Sequence, residues 1–339
     1  MTETSAPIDA LLVLPHLRIQ NANAISSPLT WGFPPMTAFI GLLQAIERRL
    51  PDEFSIGLCG AGVVCHDFET QATRSGFTHR FHLTRNPIDK DGDTAAIVEE
   101  GRIHLEVTLV FGVQFYDNFE TSDAVAHAAQ AQLVADLVAG MRIAGGSVLP
   151  SVYPQAARFR SRIVPLGSAS DDRDKVFRNE RRKWLPGFVL VSRDDLLAQR
   201  LTELRRTQPA ASLLDAWLDL SRLNYRAERS TAIDPKSGQP TEQVDWLPQR
   251  PTGWIVPIPV GYGALSELYS AGTVAGARDL HTPFRFVESL YSMGQWISPH
   301  RLSRPSDLLW YPSSNPNSGL YRCANDYRPA PAPDIAVNV

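Results

Sequence analysis

Residues 102–111 read RIHLEVTLVF: Ile103, Leu105, Val107, Leu109 and Phe111 fall on one side of an extended backbone, and Arg102, His104, Glu106 and Thr108 on the other. The pattern predicts a strand with one face in a core and one face polar. Upstream, residues 55–68 (SIGLCGAGVVCHDF) read as a second strand, in which Gly57, Gly60 and Gly62 predict a bulge or a close backbone approach. Residues 10–19 (ALLVLPHLRI) are apolar on both faces, as a buried central strand is. The polar stretch 20–33 (QNANAISSPLTWGF) predicts a long loop that ends where Pro34 and Pro35 can open a helix. Phe39, Leu42, Leu43, Ile46 and Leu50 then recur at helical spacing until Pro51. Downstream, Ser122 predicts the cap of a helix whose Val125, Ala129, Leu133, Leu137 and Met141 repeat every four residues, with Gly140 suited to its end. Residues 143–149 predict a strand or a Gly-rich turn. The order is β-α-β-β-α-β, an α+β pattern of the ferredoxin-like or RNA-recognition-like type.

Past residue 155 the pattern loosens into an Arg-rich stretch, a short strand at 187–192, and helices near 194–206 and 212–223. Residues 226–250, polar and Pro-containing, predict an exposed insertion. Trp-, Pro- and Gly-rich segments at 254–262, 284–301 and 307–321 follow. The expected division is a first domain over 1–155, a C-terminal region over 156–330 and a disordered tail over 331–339.

A hydrophobic fraction of 43% in 339 residues supports a large buried core. The opening MTETSAPIDA lacks a basic n-region, which predicts neither a signal peptide nor a membrane span and a cytoplasmic location. Cys59, Cys65 and Cys323 suit reduced, partly buried thiols better than a disulfide framework. Net charge is only −3, but residues 1–150 carry 9 Lys and Arg against 17 Asp and Glu, and residues 151–339 carry 24 against 19. Within 155–186 lie Arg158, Arg160, Arg162, Arg173, Lys175, Arg178, Arg181, Arg182 and Lys183, a candidate phosphate-contacting surface. The cations are 29 Arg and 4 Lys. The guanidinium fork suits phosphates and base edges, although a GC-rich genome gives the same bias.

P-loop, dinucleotide-binding, zinc-protease, nucleophile-elbow and C-x-x-C signatures are all missing from the sequence. Cys59, Cys65 and His66 are poor metal ligands, because Cys65 and His66 are neighbours on a strand and point to opposite faces. His104 reads as a solvated or hydrogen-bonded imidazole and His16 as a satisfied core histidine. No catalytic, metal or cofactor site is expected.

Residues 18–33 (RIQNANAISSPLTWGF) are a more specific signal, and further stretches accompany them in order: VCHDF at 64–68, LTRNP at 83–87, TAAIVEEGRIHLE at 94–106, MRIAGGSVLP at 141–150, LPGFVLVSR at 185–193, GWIVPIPVGYGAL at 253–265, TPFRFVE at 282–288, SPHR at 298–301 and SDLLWY at 306–311. Nearly the whole chain resembles the RAMP-superfamily, Cas-five-type subunit of type I-F CRISPR surveillance (Csy, or Cascade) complexes. The resemblance implies an RNA-recognition-like RAMP domain, tight pairing with the large subunit of the complex, contact with its backbone subunits, and a joint grip on the crRNA 5′ handle. Target DNA would be met only indirectly, and the protein would be no enzyme in this antiviral defence.

The residue chemistry suits that role. Asn21 and Asn23 can read base edges, Ser26 and Ser27 can meet phosphates, and Trp31 offers a stacking face. The alternative is a loop that satisfies its own backbone, with Trp31 in the core. Arg85 and Asn86 before Pro87, and Arg142 with Gly145, Gly146 and Ser147, combine a cation, an amide and turn N–H groups, as anion-binding nests do. A turn with a surface ion pair is the other reading. Arg285, His300 and Arg301 can complete the grip or pack against Trp296 and Trp310. The rival function is a RAMP endoribonuclease for precursor crRNA, with His16, His66 or His104 as acid or base.

Overall fold

In the computed structural model the alternating segment is a strand of 14 residues, Arg102–Phe115, flanked on both sides by antiparallel partners. The described residues are 7–51, 54, 56–88, 91–116, 123–151, 156–167, 169–233, 240–249 and 253–329; residues 1–6 of the opening segment, Ser122 and the tail at 331–339 lie outside them. The molecule is mixed α and β. Its main sheet has 11 strands: β1 (Ala10–Asn23), β2 (Ile56–Thr70), β3 (Arg102–Phe115), β4 (Arg142–Ile143), β5 (Gly146–Leu149), β6 (Arg162–Pro165), β7 (Phe188–Ser192), β8 (Trp254–Ala264), β9 (Val287–Ile297), β10 (Trp310–Asn315) and β11 (Leu320–Asn325). The helices among the described residues are α1 (Met36–Glu47), α2 (Ala124–Ala139), α3 (Ser170–Arg182), α4 (Asp194–Arg205) and α5 (Leu213–Ser221).

The strands run β4-β5-β1-β3-β2-β7-β9-β8-β11-β10, all neighbours antiparallel, with β6 beside β5 on the outer edge of β1. Trp310 of β10 also pairs with Ala61 of β2, so the second half of the sheet returns on the first. Glycine makes that return possible. A Cβ at Gly62 would stand 2.4 Å from Cγ of Leu308, and one at Gly60 would stand 3.0 Å from the Trp310 carbonyl oxygen. The expected bulge is present as well, as a register shift between Leu58 and Gly60.

Each face of the sheet holds a core. On one face Leu12, Leu14, Val63, Leu105, Val107 and Phe111 pack with Phe39, Leu43 and Ile46 of α1 and Val134 and Val138 of α2. On the other, Leu11, Val13, Val64, Val110 and Val191 pack with Phe177 of α3, Trp184 and Leu308. The second core covers only part of its face. Towards the start of β3 that face carries Arg102, His104 and Glu106, none of them fully buried, beside exposed Arg18 and Gln20 of β1.

Several expectations need correction. The segment 20–33 is not a loop: β1 runs on to Asn23, and Ile25–Ser27 pairs with Thr30–Trp31 as a small hairpin. The buried face of α2 is His127, Ala131, Val134 and Val138, while Val125 is 80% exposed. A strict four-residue repeat drifts by about 40° per step around a helix of 3.6 residues per turn, whereas spacings of four, three and four hold one face. The helix is capped by Asp123, whose carboxylate accepts the Val125 and Ala126 N–H groups at 2.9 and 3.1 Å. Thr108, expected on the polar face, is buried.

The Arg-rich stretch forms α3, and several of its cations serve the fold. Arg162 and Lys183 close on the buried Glu180 carboxylate, Arg173 donates to the Ile8 carbonyl at 2.7 Å, and Arg158 to the Leu185 carbonyl at 2.6 Å. The insertion is a hairpin of Asn224–Ile233 with Pro240–Gln249, which among the described residues pair only with each other.

Candidate nucleic-acid interface

Two bulges break β1, and both place a non-glycine residue in the left-handed region: His16 at φ 50° and Asn21 at φ 56°. Asn tolerates that backbone, and the bulge, seen as a register shift between Ile19 and Ala22, turns its side chain off the pleat. The Asn21 N–H donates to Nδ1 of His104 at 3.1 Å, so His104 is hydrogen-bonded as its place on the polar face predicts.

The displaced Asn21 lines a cleft of about 460 Å³ together with Arg142, Gly145 and Ser147. Gln20, Gln71, His82, Thr84, Glu100 and Arg102 complete it. Ala144 and Gly145 both have positive φ, 48° and 80°, in the two-residue connection of β4 to β5, as a type I′ turn requires. Gly146 answers a different need. A Cβ there would lie 2.7 Å from the Ala22 nitrogen and 2.8 Å from the Gln20 carbonyl oxygen, so only glycine lets β5 close on β1. Hydrogen bonds from Arg102 at 2.8 Å and from Thr84 at 2.7 Å hold the Glu100 carboxyl below the usual range. Arg142 is exposed, and among the described residues it donates to the Gly145 carbonyl at 3.3 Å.

The other candidates are spread more widely. Asn23 bonds Ile25 through both ends of its amide. The hydroxyls of Ser26 and Ser27 meet Thr30 Oγ1 at 2.7 Å, and Ser27 Oγ also accepts the Leu29 and Thr30 N–H groups, so both serine hydroxyls are engaged inside the turn. Trp31 is 47% exposed, its edge against Phe81, and so lies outside the core. Arg85 and Asn86 are exposed on the hairpin of Leu83–Arg85 with Ile97–Glu99. Arg285 stands before β9 and His300 and Arg301 after it. The strand between them spans roughly 30 Å, so these three do not form one site with each other. His300 Nδ1 meets Ser298 Oγ at 2.8 Å.

Two further clefts continue the first across the sheet. Gln20 is shared with a cleft of about 230 Å³ lined by Arg18, His104, Glu106, Asp67 and Phe68. Asp67 and Phe68 are shared in turn with a pocket of about 300 Å³ walled by Phe33, Phe188, Trp254 and Trp296. Arg18, Gln20 and these aromatics are missing from the sequence-based candidates. The alternation of Arg18 and Gln20 around the buried Ile19 carries a signal for the first two; nothing local announces the aromatic wall, which β7, β8 and β9 bring from more than a hundred residues away.

His16 and His66 stack at 4.0 Å under the edge of Phe159. His16 Nδ1 meets Glu106 at 2.6 Å, while its Nε2 is buried without a partner, so it is not the fully satisfied histidine expected. His66 is saturated by Pro186 O and Thr108 Oγ1, both at 2.7 Å, and burial pulls its pKa down. Neither imidazole offers a nitrogen to the clefts. Burial also pushes the Cys59 thiol up to about 11 and the Cys65 thiol to about 12, which disfavours the thiolate a metal needs. Among the described residues no three His, Cys, Asp or Glu side chains are grouped to hold a metal ion, and no helix is long and apolar enough to cross a membrane.

Comparison with known proteins adds a second line. A family model described as CRISPR-associated protein (Cas_Csy2) matches residues 12–323. The chain is also 48% identical over 316 residues to the CRISPR-associated protein Csy2 of Pseudomonas aeruginosa (strain UCBPP-PA14), covering 93% of this chain and 94% of that protein.

Proposed function

Because the chain belongs to the Cas_Csy2 family of CRISPR-associated proteins, we propose that it is the non-catalytic subunit of a type I-F surveillance complex that binds the 5′ handle of the crRNA. In this reading β1, α1, β2, β3, α2 and β5, with the sheet order β5-β1-β3-β2, are a ferredoxin-like, RNA-recognition-type RAMP unit within residues 1–155. Residues 156–330 are the C-terminal region, which pairs with the large subunit and the backbone filament. Target DNA is reached through the guide, and the protein works in the cytoplasm.

One observation carries the proposal: Asn21 and, distant from it in sequence, the hairpin residues Arg142, Gly145 and Ser147 line a single cleft beside the uncovered part of a sheet face. A cation, an amide, a hydroxyl and a tight turn at the edge of an open sheet are what single-stranded RNA recognition uses. A binding role is favoured over cutting by His16 or His66, because His66 has both ring nitrogens engaged and His16 has one paired and one shielded.

The test incubates the full-length chain and its large partner with labelled crRNA, with and without divalent metal. Bound, uncut RNA is expected in both conditions. Site-specific cutting that disappears in His66→Ala or His104→Ala would overturn the non-catalytic reading.

A further inference from the structure

The aromatic pocket at the far end of the three clefts has no role in the reading above. Phe68, Phe188 and Trp254 stand about half exposed around it, at 52%, 45% and 47%. Rings so close together and so open to water belong to a surface that something covers. Their positions are held from behind. Trp254 meets Phe188 edge to face at 5.4 Å and Trp296 at 6.0 Å, and Trp296 meets Phe33 at 4.8 Å. The rings therefore form a pre-built wall.

Two features point to the occupant. First, the pocket is continuous with the polar clefts: Asp67 and Phe68 belong to both, and the line runs from Arg142 and Asn21 past Gln20 and Arg18 to the rings. Second, the mouth carries a carboxylate. Asp67 is exposed, its Oδ1 accepts the Phe68 N–H at 2.9 Å, and among the described residues no hydrogen bond reaches its other oxygen. A flat apolar slot with one acceptor at its lip suits a planar ring that carries an N–H₂ group.

We propose that this pocket binds one unstacked, amino-bearing nucleobase of the bound RNA, cytosine, adenine or guanine in preference to uracil, stacked on Trp254 and donating to Asp67. The proposal rests on the RNA-binding reading above and adds to it a base-specific end point. A uracil has no amino group and could offer Asp67 only its N3–H, with a repelling carbonyl oxygen on each side of it.

The test is an abasic walk. The full-length chain, assembled with its large partner, is titrated with crRNA that lacks one base at a time along the handle, as wild type, Trp254→Ala, Trp254→Phe and Asp67→Asn. In wild type one abasic position should weaken binding by roughly ten- to a hundredfold. Trp254→Ala should lose the same factor on intact RNA and nothing further at that position, and Trp254→Phe should retain most of the affinity. At that same position wild type should prefer an amino-bearing base, cytosine, adenine or guanine, to uracil, and Asp67→Asn should reduce the preference. Failure of intact RNA to bind wild type would remove the underlying RNA reading. Tight binding with no abasic position coupled to Trp254 would overturn the pocket alone. Loss of partner assembly in Trp254→Ala, with all abasic positions equally affected, would show that a protein side chain fills the pocket and would likewise overturn it.

Discussion

His66 is held as a neutral tautomer by its neighbours. The Pro186 carbonyl requires a proton on Nδ1, so Nε2 accepts from Thr108, whose oxygen in turn accepts the His16 N–H at 3.1 Å. Burial is the largest cause of its lowered pKa, opposed by the Pro186 hydrogen bond and reinforced by His16. An unfolded chain takes up this proton near the ordinary value of 6.5, and the folded chain only at lower pH. The stability is therefore complete above the unfolded value and is lost as pH falls from there towards the folded one. Denaturation midpoints of wild type and His66→Gln, compared between about pH 7.5 and about pH 5.5, should converge as the wild type loses its advantage. Parallel profiles would contradict the assignment. At this scale the sequence is a partial guide. Asn21 stands out as an amide after a buried strand, but the bulge that aims it depends on His104 across the sheet. Ser26 and Ser27 have the same polarity as Asn21 and are engaged by Thr30 instead.

At the scale of the element, the hairpin β4–β5 couples turn chemistry to the interface. Ala144 and Gly145 reverse the chain, Gly146 admits the β1 backbone, and Ser147 then faces the cleft beside Asn21. Gly146→Ala should cost about 1–3 kcal/mol, because the added methyl meets backbone atoms that cannot rotate away. Gly145→Ala, open to solvent but at positive φ, should cost less. Chemical denaturation of the two variants checks the order, and equal losses would contradict the close-approach account. Elements with one strong pattern were legible: β3 from its alternation, α1 from Phe39, Leu42, Leu43 and Ile46, and the bulge of β2 from its glycines. The buried face of α2 was not, because its apolar residues are mostly small and a four-residue repeat of them imitates a stripe. The short hairpin at 25–31 was hidden by Asn, Ser and Pro, which favour turns more than they reveal the strands around them.

For the whole molecule, composition says least. The charge excess of the C-terminal half suggested a phosphate surface around 158–183, yet Arg158, Arg162, Arg173 and Lys183 bind carbonyls or Glu180 in the folded chain. The clefts of Asn21, Arg142 and Arg18 lie instead on the more acidic half, where few cations are present and each matters more. That distribution makes salt the most direct probe. The measurement is an anisotropy titration of the chain with its large partner against crRNA carrying a native or a scrambled handle, at several salt concentrations, for wild type, Arg142→Ala and Asn21→Gly. Glycine keeps the left-handed backbone at position 21 and removes only the amide. Arg142→Ala should weaken both RNAs and flatten the salt dependence by about 0.7 in the logarithmic slope, the share of one single-strand phosphate. Asn21→Gly should cost on the order of 1–3 kcal/mol on the native handle, almost nothing on the scrambled one, and leave the slope unchanged. Equal losses from Asn21→Gly on both RNAs, together with an unchanged slope for Arg142→Ala, would contradict the account, because the cleft would then be a folding element and the handle would be read elsewhere.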